Sequence, residues 1–290
     1  MANTIQAIIN LVSHPKLELV EYYNSRHRAN SEGGSLEEYI KDLYAGTLYE
    51  LDDEKRKKLI NDVFSYIGND SNPPDAMIRY GDAIEVKKIE SPKADIQLNS
   101  SYPKCQIEST SSMISRACKD AEEGKWTKDL LYVVGQVKNK QLKSIFMVYG
   151  EDYAASDETY LGVKQDIKKW IASMGELEFE ETEELGRINM IDSLGITKLR
   201  VRGMWILQNP WKVFSYVTTL DTSKKFEFCA IINEMKYKSF PEHVELEHLV
   251  SSINTLEIQD IKIKNPNDSK LDIKAKMIRF YLVGKENESN

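Results

Sequence analysis

Two apolar runs set close together, LLYVVGQV at 130–137 and SIFMVYG at 144–150, constrain the fold of this chain most. Runs of that length and β-rich content read as neighbouring strands. Helical patterns lie on both sides of them. Ile5, Ile8, Ile9 and Val12 repeat at helical spacing over 3–12, and Val163, Ile167, Trp170, Ile171 and Met174 do so over 157–174. A second helix is expected from Ser35, where Ser35 and Glu38 match the S-x-x-E capping box and Leu36, Tyr39, Ile40 and Leu43 form one stripe. A third is expected over 53–67, with Ile60, Val63, Phe64 and Ile67 on one face and Gly68 ending it. A short helix is expected over 112–122. Further strands are expected at 76–79, 83–89, 196–202, 226–233, 256–264 and 272–283. The pattern is that of one α/β domain spanning 1–290, with a mixed sheet and a strand-rich C-terminal third. The acidic stretch ELEFEETEE at 176–184 is the best candidate for a subdomain seam.

Composition excludes several classes. At 41% hydrophobic and 29% charged residues the chain has the apolar content for a core, unlike a disordered sequence. No apolar run approaches the roughly 18 residues that span a membrane. The N-terminus MANTIQAIINLVSHPK lacks a basic n-region and a small-residue cleavage site, so no signal peptide is read there. Three cysteines without CxxC spacing fit a reducing cytoplasm and neither a disulfide framework nor a zinc knuckle. There is no Gly-rich phosphate loop and no G-x-S-x-G elbow. The net charge of −7 gives no support to a nucleic-acid partner, but phosphate contacts depend on local clusters. Such clusters occur at Arg26–Arg28, at Lys55–Lys58 and over 262–279, where six Lys or Arg face two Asp. Each is either a solvated face or a contact surface.

The stretch NPPDAMIRYGDAIEVKK, 72–88, carries the clearest chemistry. Tyr80-Gly81-Asp82 is a plausible hairpin turn between two short strands. Alternation then puts Glu85 and Lys87 on one face, about 6.6 Å apart along the strand. The antiparallel return can bring Glu85 beside Asp75. Two carboxylates so placed can share a hard cation such as Mg²⁺, which wants oxygen ligands and keeps several waters. Lys87 would add a mobile point charge beside them. The (D/E)-x-K triplet alone says little, since it recurs at Asp53-Lys55, Asp166-Lys168, Glu234-Lys236 and Asp260-Lys262. The alternative is a charged hairpin edge that resists aggregation. Glu37, on the border of the helical stripe, is a candidate for a further acid, or else a first-turn acid favoured by the helix dipole.

These residues resemble the PD-(D/E)xK nuclease superfamily, and within it the NgoPII family of type II restriction endonucleases. The stretches that carry the resemblance are RANSEGGSLEEYIKDLYAG (28–46), VFSYIGNDSNPPDAMIRYGDAIEVKKIES (63–91), LNSSYPK (98–104), ELGRINMIDSLGITKLRVRGMW (184–205) and IKIKNP (261–266). The resemblance implies a restriction-endonuclease-like core of helices around a mixed sheet, with the catalytic part at about 30–150. Recognition and dimerisation elements would lie at about 90–112 and 184–283. It implies Mg²⁺-dependent hydrolysis of double-stranded DNA at a short palindrome, GGCC in the family, with Mn²⁺ as substitute and a companion DNA methyltransferase. Asp75 and Glu85 take the metal positions of the motif, Lys87 the lysine and Glu37 the helix acid.

A palindromic target implies a two-fold dimer. In GITKLRVRGMW, strand alternation puts Lys198, Arg200 and Arg202 on one face, suited to phosphate or guanine contact. The polar loop that follows the catalytic strand offers Asn99, Ser100, Ser101 and Lys104, with Arg187 and Asn189 as weaker candidates. Solvent-exposed or turn-forming roles are the alternatives for each. The tryptophans at 126, 170, 205 and 211 read as core or interface. Two other functions compete: a repair or junction nuclease of the same superfamily, and a DNA-binding protein whose acidic hairpin is inert.

Overall fold

The computed structural model describes residues 2–284 except 27, 30, 70, 71, 99, 100, 112, 174–184, 189–191, 193, 195 and 198. The N-terminal quarter is helical: α1 (Thr4–Ser13), α2 (Leu19–Asn24), α3 (Glu32–Ala45) and α4 (Asp53–Val63). Three strands follow, β1 (Phe64–Asn69), β2 (Asn72–Ile78) and β3 (Ala83–Ile89). The polar stretch then holds only the short β4 (Ile96–Gln97) and β5 (Gln106–Glu108), with α5 (Arg116–Lys119) after them. The two apolar runs are β6 (Thr127–Lys138) and β7 (Gln141–Tyr149), ahead of α6 (Asp157–Ala172). Next come β8 (Gly186–Ile188), β9 (Leu199–Val201), β10 (Ile206–Leu207) and α7 (Pro210–Val213). The chain finishes with β11 (Phe226–Asn233), α8 (Glu234–Ser239), α9 (His243–Leu249) and the long hairpin β12 (Leu256–Asn265) and β13 (Asp268–Leu282).

The main sheet runs β1-β2-β3-β6-β7-β11-β13-β12, with β5 also on β6. It is mixed: β3 lies parallel to β6 and β7 parallel to β11, whereas β6–β7 and β11–β13 are antiparallel. The apolar runs are continuous because both faces of β6 and β7 are covered. Leu131, Val133 and Ile145 join Ile5, Ile8, Leu36 and Ile40 on one face. Tyr132, Val134, Phe146 and Val148 join Ile107, Trp211 and Phe214 on the other. Gly135 interrupts the run for a steric reason. A Cβ there would come within 2.5 Å of a Leu36 methyl, so any larger residue would have to displace the Leu36 side chain of α3.

Three local expectations are corrected. The helix expected over 53–67 stops at Val63, and Phe64 to Asn69 form β1; Gly68 is a strand residue and not a cap. The helix expected from Ser35 begins at Glu32, capped by Ser31, whose Oγ accepts from the Gly34 amide at 3.0 Å. Ser35 instead bonds back to the Ser31 carbonyl, so no capping box with Glu38 exists. The apolar face expected on α6 is not a core face: Ile171 is buried, but Val163 is 47% and Trp170 66% exposed. Of the other tryptophans, Trp211 is buried and Trp126 and Trp205 pack against the core. The candidate seam at 176–184 lies outside the described residues. No helix among those described is long and apolar enough to cross a membrane.

Candidate active site

The site forms where β2 and β3 stop pairing. Their ladder holds two register pairs, Ala76↔Ile84 and Met77↔Ala83. Pro73 and Pro74, joined by a cis peptide bond, precede Asp75 and have no N–H to extend it. The next free amide of β3, that of Val86, donates to Asp75 Oδ2 at 2.6 Å. The carboxylate thus takes the place of a backbone acceptor, which fixes it against β3. Close approach of β1 holds the same segment from behind. A Cβ on Gly68 would stand 2.4 Å from the Pro74 carbonyl oxygen and 3.1 Å from Asp75 Cα. Gly68→Ala must therefore shift backbone rather than a side chain. It is expected to cost about 1–3 kcal/mol of stability and, by moving Asp75, to cut turnover about 10²-fold. Melting curves and a cleavage time course check both.

Glu85 and Lys87 share the face that alternation assigns them, with Lys87 Nζ 2.6 Å from Glu85 Oε1. Glu85 is buried, and its other oxygen, Oε2, has no hydrogen-bond partner among the described residues. Burial and the Glu85 charge push the Asp75 carboxyl up to about 7, against the opposing pull of Lys87 and the Val86 amide; Glu37 adds to the push. Burial works against the Lys87 ammonium, but Glu85, Asp75 and Glu37 outweigh it and hold its pKa above the ordinary lysine value. The cluster has more negative charge than one lysine neutralises. Carboxylates crowded together in this way are an arrangement that can accept a cation.

The two neighbouring acids of α3 have different surroundings. Glu37 lines the same cleft as Asp75, Ala76, Ile84 and Val86. Glu38 turns away: its Oε2 lies 2.6 Å from Arg56 Nη2 and its Oε1 pairs with Lys41. Arg56 also binds the buried Asp42 at 2.7 Å, and Asp42 accepts from Tyr23 and Thr47. Glu38 therefore belongs to the network that fastens α4 to α3, and Glu37 faces the strands.

The donor set fits a hard divalent cation. Asp75 and Glu85 offer carboxylate oxygens, one of them without a partner, and water would fill the remaining positions as Mg²⁺ prefers. Among the described residues no three His, Cys, Asp or Glu side chains form a fuller cage. Asp75, Glu85 and Lys87, with Glu37 acting on them from α3, are the charged groups brought together here among the described residues.

Comparison with known proteins shows the family of the chain as a whole. The family model for NgoPII restriction endonuclease matches residues 2–264. Over 282 residues the chain is 50% identical to the type II restriction enzyme NgoPII of Neisseria gonorrhoeae, covering 97% of this chain and 100% of that protein. The chain belongs to the NgoPII restriction endonuclease family. No solved structure matches it.

The remaining candidates of this NgoPII-family chain are spread around the site. Asn99, Ser100, Asn189 and Lys198 lie outside the described residues. Ser101 is half-buried, its amide donating to the Leu98 carbonyl. Lys104 is not on the surface: it is 3% exposed. The strand expected over 196–202 is only β9, paired with β8 so that Arg187 stands opposite Arg200. Arg200 and Arg202 are exposed.

Sequence reasoning missed a pair that holds the hairpin turn. Lys128, at the start of β6, is buried, and its Nζ donates to the Gly81 carbonyl at 2.8 Å and the Ile78 carbonyl at 2.9 Å. It also pairs with Glu122 at 2.8 Å. Glu122 Oε1 in turn accepts from the Tyr80 amide at 3.1 Å and Ser65 Oγ at 2.6 Å. Burial alone would raise Glu122, yet Lys128, Ser65 and the Tyr80 amide outweigh it and hold its carboxyl below the ordinary range. A lysine at the beginning of an apolar strand gives no sign in the sequence that its amine points inward.

Proposed function

We propose that this chain hydrolyses one phosphodiester bond in each strand of duplex DNA at a short palindrome, GGCC being the site the resemblance implies, with Mg²⁺ at Asp75 and Glu85 and Mn²⁺ as substitute. The observation that carries this reading is the convergence of Asp75, Glu85 and Lys87, with Glu85 Oε2 buried and unpartnered. A bound divalent cation there supplies positive charge that acidifies a water and offsets charge on the phosphate. Asp75 and Glu85 bind and orient that charge. Lys87, with its pKa raised, stays protonated through neutral pH, so it serves as a fixed positive charge beside the reacting phosphate and not as a proton acceptor. Glu37, at the same cleft, completes the acidic side.

For DNA contact the β8–β9 ribbon is the favoured element. Its register sets residue 187 opposite residue 200, both arginines, a residue type suited to phosphate contact. A palindromic target calls for a homodimer, one site per strand. We take the whole of 1–290 as one nuclease domain in the cytoplasm, its host DNA protected by a companion methyltransferase that forms no stable complex with it.

Digestion of phage DNA tests the reading. Discrete fragments with Mg²⁺, and none with chelator, are expected. Smears or cuts confined to branched DNA would favour a structure-specific nuclease. Lys87→Ala is expected to lower cutting by about 10³-fold or more while leaving DNA retention in a mobility-shift assay intact.

A further inference from the structure

Lys104 is a cation in the wrong place for a resting protein. It is 3% exposed, and among the described residues it has no carboxylate at ion-pair distance. Its Nζ rests 3.4 Å from the Met113 sulfur and 3.8 Å from the centre of the Tyr102 ring. A thioether is a weak acceptor and a ring face offers only quadrupolar attraction, so three N–H donors go largely unanswered. A buried charge left in that condition is costly, and the arrangement needs a reason.

Its location supplies one. The Lys104 amide donates to Tyr132 Oη at 2.8 Å. Tyr132 is the register partner of Glu85 across the parallel β3–β6 ladder, on the same face of the sheet. The Lys104 backbone is therefore tethered to the tyrosine that neighbours the Glu85 position, and Glu85 acts on the ammonium electrostatically while its own second oxygen has no partner among the described residues. The perch is rigid as well. Tyr102 stacks on Tyr160, meets Trp205 edge-on and donates its hydroxyl to Asp157 at 3.0 Å. Burial lowers the ammonium pKa, with Asp157, Lys164 and Glu85 all acting on it.

We propose that Lys104 is a second lysine of the nuclease centre, parked under Tyr102 in the free protein and turned onto a DNA phosphate beside Glu85 when the duplex docks. This rests on the nuclease reading above. A phosphate oxygen is a far better acceptor than sulfur or a ring face, so the docked duplex favours the outward state through differential affinity. The four-carbon stem allows that swing while Tyr132 keeps the backbone in place.

Lys104→Met tests it, because an unbranched thioether side chain fits between Met113 and Tyr102 without a charge to bury. The metal-free variant is expected to melt at or above the wild-type temperature. Its affinity for linear phage DNA, measured in the non-cutting Lys87→Ala background, should fall about tenfold, and the slope of log affinity against log salt should drop by about 0.9. Lys104→Arg should keep the slope. Unchanged affinity and slope, or a marked loss of melting temperature in Lys104→Met, overturns the proposal by making the ammonium irrelevant or structural. If wild-type protein itself leaves phage DNA uncut with Mg²⁺, the nuclease reading has failed instead.

Discussion

Asp75→Asn should abolish cutting and at the same time make the metal-free protein more stable at pH 8. The asparagine keeps an oxygen for the Val86 amide, so the hydrogen bond that fixes β2 against β3 survives. What it removes is a charge that burial and Glu85 disfavour. The folded carboxyl holds its proton up to about pH 7, while the unfolded chain releases it near the ordinary value of 3.8. Folded protein binds more protons than unfolded between those limits. Stability from this group is therefore complete below about pH 4 and lost as pH rises through about 7. Relief of that strain is expected to be worth about 2 kcal/mol, or about 5 °C in melting temperature for a chain of this size. Asp152, pushed up to about 7 by burial and Glu151 against its Asn233 bonds, falls in the same window in both proteins, so the difference between variant and wild type isolates Asp75. Added Mg²⁺ should raise the melting temperature of wild type by mass action and leave the variant unmoved. A variant that melts lower than wild type at pH 8 would mean Asp75 is there for structure.

Lys128→Met has the largest expected structural effect. Removal of the ammonium leaves Glu122 as a lone buried carboxylate and deprives the Ile78 and Gly81 carbonyls of their donor. Breaking a buried pair in this way costs about 3–5 kcal/mol, which for a chain of this length lowers the melting temperature by about 10 °C. The damage is local to the turn between the strands that carry Asp75 and Glu85, so cleavage should fall at temperatures where the rest of the protein is still folded. Glu122→Gln in the same chain removes the stranded charge and should recover part of the loss. Denaturant titrations of both singles and the double measure the coupling. Additive losses would show that the two side chains do not act as a pair.

How far the sequence revealed this arrangement depends on whether a feature is local. The hairpin was legible because alternation in AIEVKK and the turn at Tyr80-Gly81-Asp82 are written in neighbouring residues. The apolar runs at 130–137 and 144–150 were legible because strands covered on both faces lose their polar positions. The β1 strand was not, since Phe64 and Ile67 continue the helical spacing of Ile60 and Val63, and pairing with β2 overrides it. The helix starts earlier than expected because Ser31 caps it through the Gly34 amide, and the two glycines at 33 and 34, poor helix formers, lie inside its first turn. At the candidate site, motif spacing pointed to Asp75, Glu85 and Lys87, which the structure places near one another. That Glu38 is taken up by Arg56, eighteen residues further along the chain, could not be read locally, and Lys128 was invisible because its partners are Glu122 and two backbone carbonyls of the β2–β3 hairpin.

Mn²⁺ binding followed by electron paramagnetic resonance tests the central assignment most directly. Wild-type protein without DNA is predicted to broaden the free-ion signal, and Asp75→Asn and Glu85→Gln, both folded, are predicted to leave it sharp. Equal broadening by all three proteins would contradict the account, because the cation would then sit somewhere other than between these two carboxylates.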